Sequence, residues 1–391
     1  MSEPVYLSAR EAAAELGVQP ATLYAYVSRG LIRSVPGPGK QKRYDASDVR
    51  QLLLRKADDG PSESGRGLTG EAVLSTRLTM ISDEAGPVYR GQLATNLARS
   101  SSLETVATLL WDCSSDPFQE PAPGPAPELP EGLDPLNRLI MALGAWPLQD
   151  RAAYTLSPNL LPKKGAALLR YATSVLLAEA PDTAPIHSQL ARHWGVSGQQ
   201  TAVLRAALIL SADHELNTST FSVRCAASTR APLYAALLTG LGAFSGPRHG
   251  ASSDRVISWM SEITGPDDIE PKLSARLARG EALPGFGHRI YKGRDPRADC
   301  LLGVLSDSAP QNALVTMLPE IISTAESLYG DPPNIDFALS ATQLALGLPR
   351  HAAKILFCTG RIVGWIAHAL EQYAAPDQIR PRATYVGERP G

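Results

Sequence analysis

The sequence predicts a mainly α-helical protein, with a small winged helix-turn-helix unit ahead of a larger helical body, and three observations carry that prediction. At 391 residues the chain exceeds the roughly 250–300 at which one hydrophobic core stops growing, so at least two domains are expected. Beyond residue 90, apolar side chains recur every three or four positions, the period of helices with one buried face. Residues 1–56 have a different character: they hold nine Lys/Arg against five Asp/Glu, a net of +4 where the whole chain carries −2.

The N-terminal elements follow in order. Ser8 and Glu11 have the Ser-x-x-Glu spacing of a capping box, starting a helix that runs through Glu15 and Leu16 and stops at Gly17. Pro20 suits the first turn of a second helix, with Leu23 and Val27 inward and Gly30 at its end. Residues 35–44 (VPGPGKQKRY) read as a two-stranded wing, and Asp45 caps a third helix reaching about Lys56. Two short helices and a wing resemble the winged helix-turn-helix domain of the MerR and excisionase type. That likeness makes Arg29, Arg33, Lys40, Lys42 and Arg43 candidates for DNA phosphates. The alternative is a module for dimerisation or for contact with the larger helical body.

Residues 57–67 (ADDGPSESGRG) have a linker's composition. Residues 78–91 read as a short β-hairpin with Gly86-Pro87 in its turn. Helical spacing then marks 103–111, 136–146, 166–178, 201–212, 219–241, 312–329 and 352–373, while the seven prolines of 114–135 exclude helix and sheet alike.

Composition excludes several classes. Hydrophobic residues are 44% and charged ones 19%, ordinary for a soluble globular protein, and a net charge of −2 gives no whole-chain attraction to nucleic acid or membrane. The four cysteines are far apart and fit no metal-ligand spacing, so no metal is expected. Reduced thiols in the cytoplasm fit them better than a disulfide framework. The N-terminus has no signal-peptide pattern. The most membrane-like run, 231–247, is Gly-rich and bounded by Arg230 and Arg248, so a core helix explains it better than a span of ~20 apolar residues.

The chemistry concentrates in LPGFGHRIYKGRDPRAD, residues 283–299. His288 follows a Gly285–Gly287 turn and precedes Arg289, Lys292, Arg294 and Arg297, a setting for a small anion whose carbonyl must be polarised. Three other segments share that character: His214, Glu215 and Asn217 between two helices, His249 between Gly-Pro and Gly, and Asp336 after a Pro-Pro turn. Each puts a titratable group at a helix terminus, where unpaired backbone groups can orient a ligand. Singly, each has a bland reading: His214 as a cap, His249 as a turn residue, Asp336 as an N-cap. His187, His193, His351 and His368 lack that setting and read as surface or packed side chains.

Taken together and in order, HELNTS, GPRHG, GFGHRIYKGRDPR, PNIDF, GRIVGWIAHALEQ and RPRATYVG resemble the citrate synthase family over about residues 68–391. The resemblance implies a two-domain helical fold, with a large domain (68–248 with 346–391), a small one (249–345) and a cleft between them. It implies a homodimer with no cofactor, acetyl-CoA and oxaloacetate being the substrates. Carried over, Asp336 is the base that takes a methyl proton from acetyl-CoA. His249 is the donor to the thioester oxygen, and His288 polarises the oxaloacetate carbonyl. His214, Arg297 and Arg361 become oxaloacetate ligands, with Arg380 supplied by the partner subunit. Gly285, Phe286, Gly287 and Lys292 become CoA contacts. The chain departs from the family pattern at Arg248, at Ala251-Ser252-Ser253 and after Phe337, beside the acyl pocket. A 2-methylcitrate synthase using propionyl-CoA, or a metabolite-sensing DNA-binding regulator on the same fold, are the alternative readings.

Overall fold

A computed structural model gives the structure of residues 6–16, 18, 20–28, 31–37, 42–46, 48, 49 and 74–381. The chain divides into two compact units, Met1–Leu74 and Ser75–Gly391.

In the first unit the Ser8 N–H donates to Glu11 Oε2 at 2.8 Å and the Glu11 N–H to Ser8 Oγ at 3.3 Å. This reciprocal cap starts the helix Ala9–Glu15, and Pro20 opens the helix Pro20–Ser28. The wing forms as Ser34–Pro36 paired antiparallel with Lys42–Asp45. A third strand, Tyr6–Ser8, pairs along the other edge of Lys42–Asp45; three residues are too few to show a period of two in sequence. Leu16, Leu23, Ile32, Tyr44 and Val49 close the core. Arg33 grips Asp48 through Nε and Nη2 at 2.8 and 2.9 Å and reaches Asp45 at 3.1 Å. The helix stops Gly17 and Gly30, the phosphate candidates Arg29 and Lys40, the third helix beyond Val49 and the linker 57–67 lie outside the described residues.

The second unit begins with Thr79–Ser82 paired antiparallel with Gly86–Tyr89, and Gln92–Leu93 extends the sheet. Gly86 and Pro87 lie in a strand, not in the turn expected of them. Ser82 Oγ accepts the Ala85 N–H at 3.1 Å and closes the reversal earlier. The expected helix over 219–241 is two helices, Thr218–Ser228 and Leu233–Phe244. Arg230 adopts φ +64° between them, and Pro232 disfavours helix at the residue before it. Helices Ala94–Ser100, Ile186–Trp194, Ser252–Met260, Ile269–Ala278 and Pro296–Ser308 also form.

The core is built around Ala352–Ala374, which packs on Leu161–Leu177, Thr201–Ser211, Thr218–Ser228 and Leu233–Phe244. It is long and apolar enough to cross a membrane, but its apolar window is 89% buried within the protein, which makes it a core helix. A Cβ on Gly360 would sit 2.3 Å from Leu208 O, and one on Gly364 would sit 2.3 Å from Ala212 O. Only glycine permits this approach, and the Gly364 N–H uses it to donate to Ala212 O at 3.0 Å. Helix Ala352–Ala374 thereby carries Arg361 to the end of Thr201–Ser211, where Asp213 and His214 follow.

Candidate active site

His214 lies in the break after Thr201–Ser211. Asn217 Oδ1 caps the next helix by accepting the Thr220 N–H at 3.0 Å, and Glu215 holds a left-handed φ of +53° between them. The Tyr89 hydroxyl pins this break, lying 3.0 Å from Ile209 O and 3.1 Å from Asp213 O. His214 is buried, with Nε2 2.9 Å from the Tyr291 hydroxyl and its ring 5.3 Å from that of His288.

His288 Nδ1 accepts the backbone N–H groups of Ile290 and Tyr291 at 3.1 and 3.3 Å. In the neutral ring the proton therefore sits on Nε2. Arg297 Nη2 lies 3.4 Å from that nitrogen. Two donors thus converge on one point, the arrangement an oxygen acceptor requires. Arg297 is itself buried and held by Asp295, whose oxygens accept from Nε at 3.0 Å and Nη2 at 2.8 Å. Arg361 is also buried: Nε donates to Ser211 O at 2.9 Å and the guanidinium lies over the Phe357 ring, but Nη1 has no hydrogen bond among the described residues. A buried guanidinium nitrogen without an acceptor marks a place for an anion.

Asp336 sits in the first turn of Ile335–Ala345 rather than at its cap. Asn334 is the cap, its Oδ1 accepting the Asp336 N–H at 3.0 Å while its amide donates to Gly287 O at 2.8 Å. One asparagine therefore ties the Asp336 turn to the His288 loop. Gly285 (φ +92°) accepts the Asn334 N–H at 2.8 Å and Gly287 (φ +77°) donates to Pro332 O at 2.8 Å, with Phe286 packed on Phe337. Asp336 Oδ1 is buried with no hydrogen bond among the described residues. Burial pushes its pKa up to about 6, against the pull of the Ser252 hydroxyl and of Arg297.

His249 follows Leu233–Phe244, its ring flanked by Phe244 and Phe357 and its Nε2 2.8 Å from Ser219 Oγ. Burial lowers its pKa to about 4, and burial with the neighbouring Arg297 does the same for His288. His214 is driven well below the usual imidazole range, first by burial and then by Arg297 and Arg361. All three imidazoles are neutral at neutral pH.

The charge of Arg361 bears on His214, His249, Asp336 and Arg297, so residues far apart in sequence share one locus. A hollow of about 290 Å³ lined by Arg99, Arg205 and Asp307 contains none of these groups. Lys292 is exposed, as is Arg380 on the segment after Ala352–Ala374. Sequence reasoning missed Tyr291, Asp295, Asn334 and Ser219. Asp-Pro before a helix was a legible cap signal for Asp295, whereas Ser219 and Tyr291 lie inside HELNTS and GFGHRIYKGRDPR without a local signal that gives them a role.

A family model described as "Citrate synthase, C-terminal domain" matches residues 126–382, and one described as "Helix-turn-helix domain" matches residues 6–57. The citrate synthase of Haloferax volcanii is 32% identical over 84% of this chain and 97% of its own. Citrate synthase 2 of Bacillus subtilis is 28% identical over 82% and 95%. The 2-methylcitrate synthase 2 of Corynebacterium glutamicum is 27% identical over 83% and 94%. Among solved structures, the citrate synthase of Thermotoga maritima superposes with TM-score 0.67 at 25% identity, covering 82% of this chain and 94% of its own. The ternary complex of carboxymethyl coenzyme A and oxaloacetate with citrate synthase from Thermoplasma acidophilum matches in fold, with TM-score 0.68 at 23% identity over 82% and 95%.

Proposed function

The chain belongs to the citrate synthase family, an acyltransferase-type condensing enzyme on a mainly helical fold, and from that premise we propose that it joins acetyl-CoA to oxaloacetate, giving citrate and CoA. Asp336 takes a proton from the acetyl methyl group. A carboxylate whose pKa stands near 6 is ionised at neutral pH yet more basic than an ordinary one, which suits it to a weak carbon acid. His249 donates to the thioester oxygen as the enol(ate) forms. Its Nε2 is engaged by Ser219 Oγ, whose hydroxyl donates to Asn217 Oδ1 at 2.8 Å, so Nδ1 serves the thioester as its donor once that hydroxyl turns its proton from Asn217 to Nε2. Trp365 Nε1 already donates to Ser219 Oγ at 3.1 Å, which leaves the hydroxyl proton for a neighbouring acceptor.

The enol carbon attacks the ketone of oxaloacetate. His288 Nε2–H and Arg297 stabilise the oxygen that gains charge, and His288 protonates the alkoxide. Arg361, through Nη1, and His214 bind the carboxylates, joined by Arg380 of the partner subunit in a homodimer. Gly285, Phe286, Gly287 and Lys292 contact CoA. Water then cleaves the citryl-CoA thioester. No cofactor takes part.

The observation that carries this reading is a raised carboxylate, Asp336, and two neutral imidazoles, His214 and His249, within the field of buried Arg361, whose Nη1 has no hydrogen bond among the described residues. Thiol release from acetyl-CoA, measured with and without oxaloacetate, tests it. Oxaloacetate-dependent release is expected, and none with either acetyl-CoA or propionyl-CoA would refute it.

His288, Arg297 and Asp336 lie on 249–345, while His214 and Arg361 lie on the remainder, so oxaloacetate bridges the two domains and draws them together. Small-angle scattering is expected to show compaction at saturating oxaloacetate. The relative from Corynebacterium glutamicum supports a second reading with propionyl-CoA. One methylene is worth only ~1–3 kcal/mol in an apolar pocket, and comparing kcat/KM for the two thioesters decides between them. The helix-turn-helix match supports DNA binding by the first unit, where the exposed strand residues Lys42 and Arg43 are the described candidates. Arg33, held by Asp48, is less free for it.

A further inference from the structure

The two arginines assigned to oxaloacetate differ in what stands behind them. Arg297 leans on Asp295 through two hydrogen bonds. Arg361 has no such fork among the described residues, and the carboxylate that most strongly favours its charge is that of Asp213. Asp213 is fully buried, with Oδ2 accepting the Glu215 N–H at 3.2 Å and lying 3.3 Å from His368 Nε2.

His368 is equally buried. Its Nδ1 lies 3.3 Å from Arg224 Nη1, and Arg224 in turn donates to Glu371 and, through Nε, to Gln372 Oε1 at 3.0 Å. With Nδ1 accepting from Arg224, the neutral ring carries its proton on Nε2 and donates to Asp213. Gly364 packs flush against that carboxylate, since a Cβ there would come within 2.5 Å of Asp213 Oδ1. A buried relay from Glu371 through Arg224 and His368 thus ends on the residue before His214.

Burying a carboxylate to hold a turn costs more than a neutral side chain accepting the same N–H would, so the charge needs its own reason. Arg361 supplies one: its Nε donates to Ser211 O at 2.9 Å, and it lies one helical turn from Gly364, against which Asp213 Oδ1 packs with no hydrogen bond of its own among the described residues.

We propose that Asp213, clamped by His368, is a positioning residue for oxaloacetate: it is the counter-charge that keeps Arg361 aimed at the substrate, and it fixes the turn that presents His214. The proposal rests on the reading of Arg361 and His214 as oxaloacetate ligands.

The test uses the full-length protein and the isosteric variant Asp213→Asn, which keeps an acceptor for the Glu215 N–H. Calorimetric Kd and steady-state KM for oxaloacetate are expected to rise at least about tenfold, ~1.4 kcal/mol in binding, with KM for acetyl-CoA within about twofold. His368→Gln, which retains a donor toward Asp213, is expected to restore most of the oxaloacetate affinity lost in His368→Leu. A folded Asp213→Asn with unchanged oxaloacetate affinity overturns the proposal. So does a parallel rise in both KM values that tracks a fall in Tm, because that is the signature of a structural role alone. Should Asp213→Asn not fold, His368→Leu is read by the same two criteria. If the unaltered protein neither binds oxaloacetate nor releases CoA, it is the parent reading that fails.

Discussion

In the first unit Arg33 keeps its guanidinium at the surface and spends it on Asp48 and Asp45, whereas in the second unit Arg361 is buried with one nitrogen left open. The contrast follows from the size of the two cores. A handful of side chains such as Leu16, Leu23, Ile32 and Tyr44 closes the small one, and its described ion pairs stay near water. The large core buries Arg297, Arg361, Asp213, Asp295 and His368, and such groups cost stability unless paired. Where the pairing is complete, as for Arg224 with Glu371 and Gln372, the charges hold structure. Where it is left open, as at Arg361 Nη1 and Asp336 Oδ1, a ligand is needed to finish it.

The sharpest break of that contrast is at Asp336. Asp336→Asn is expected to lower kcat by about 10²–10⁴-fold, measured as thiol release, and to raise stability at neutral pH. The native state holds this proton more tightly than the unfolded chain, with a pKa of about 6 against an ordinary 3.8. The contribution of this group to stability therefore declines as pH rises through that window. The gain in the variant should approach, at most, about 3 kcal/mol at pH 7.5 and vanish near pH 4, as read by denaturant unfolding at the two pH values. In the unaltered enzyme kcat/KM should fall as pH drops below about 6, where the base becomes protonated. A lower stability for Asp336→Asn at pH 7.5 would mean that the open carboxylate is not a cost.

Arg361 comes next. Arg361→Met keeps the length of the stem and removes the open nitrogen. Oxaloacetate KM is expected to rise on the order of 10²-fold, with a far smaller change for the thioester. An equal rise for both substrates would place Arg361 among the structural charges, with Arg33.

These open groups explain how far the sequence could be read. Helices with a continuous apolar stripe, such as Ala352–Ala374, and the capping box at Ser8 and Glu11 were legible because their signals are local. The histidines and Asp336 were legible as motifs at helix ends. Asn334 was not, because Asp336 two residues later has the same capping chemistry; only the folded chain shows Asn334 reaching Gly287 as well. The break near Pro232 was overridden by an apolar run on both sides. Asp213 and His368 are 155 positions apart in sequence, and no spacing rule brings them together.

A smaller effect is expected at the helix contact that delivers Arg361. Gly364→Ala would put a methyl 2.3 Å from a backbone carbonyl and 2.5 Å from Asp213 Oδ1. Overpacking of this kind costs about 1–3 kcal/mol, to be read from Tm, and oxaloacetate affinity should fall with it. A variant as stable as the parent would show that the approach of the two helices is looser than the Gly364–Ala212 hydrogen bond implies.

The smallest effect belongs to the first unit and tests whether the contrast between the two cores is one of independent bodies. Ser8→Ala removes the hydroxyl that accepts the Glu11 N–H and leaves an orphan donor in the first turn of Ala9–Glu15. An N-cap serine is worth roughly 1 kcal/mol. In a unit with so small a core that is enough to speed amide exchange through Ala9–Glu15 and the strand Lys42–Asp45 that packs beside it. Amides of Thr201–Ser211 and Ala352–Ala374 should keep their protection, because the chain divides between Leu74 and Ser75 and a local opening costs only the contacts it breaks. Hydrogen exchange read by mass spectrometry separates the outcomes. Faster exchange confined to the first unit fits two bodies with separate cooperativity; faster exchange in Ala352–Ala374 would mean that the small core and the catalytic one unfold together.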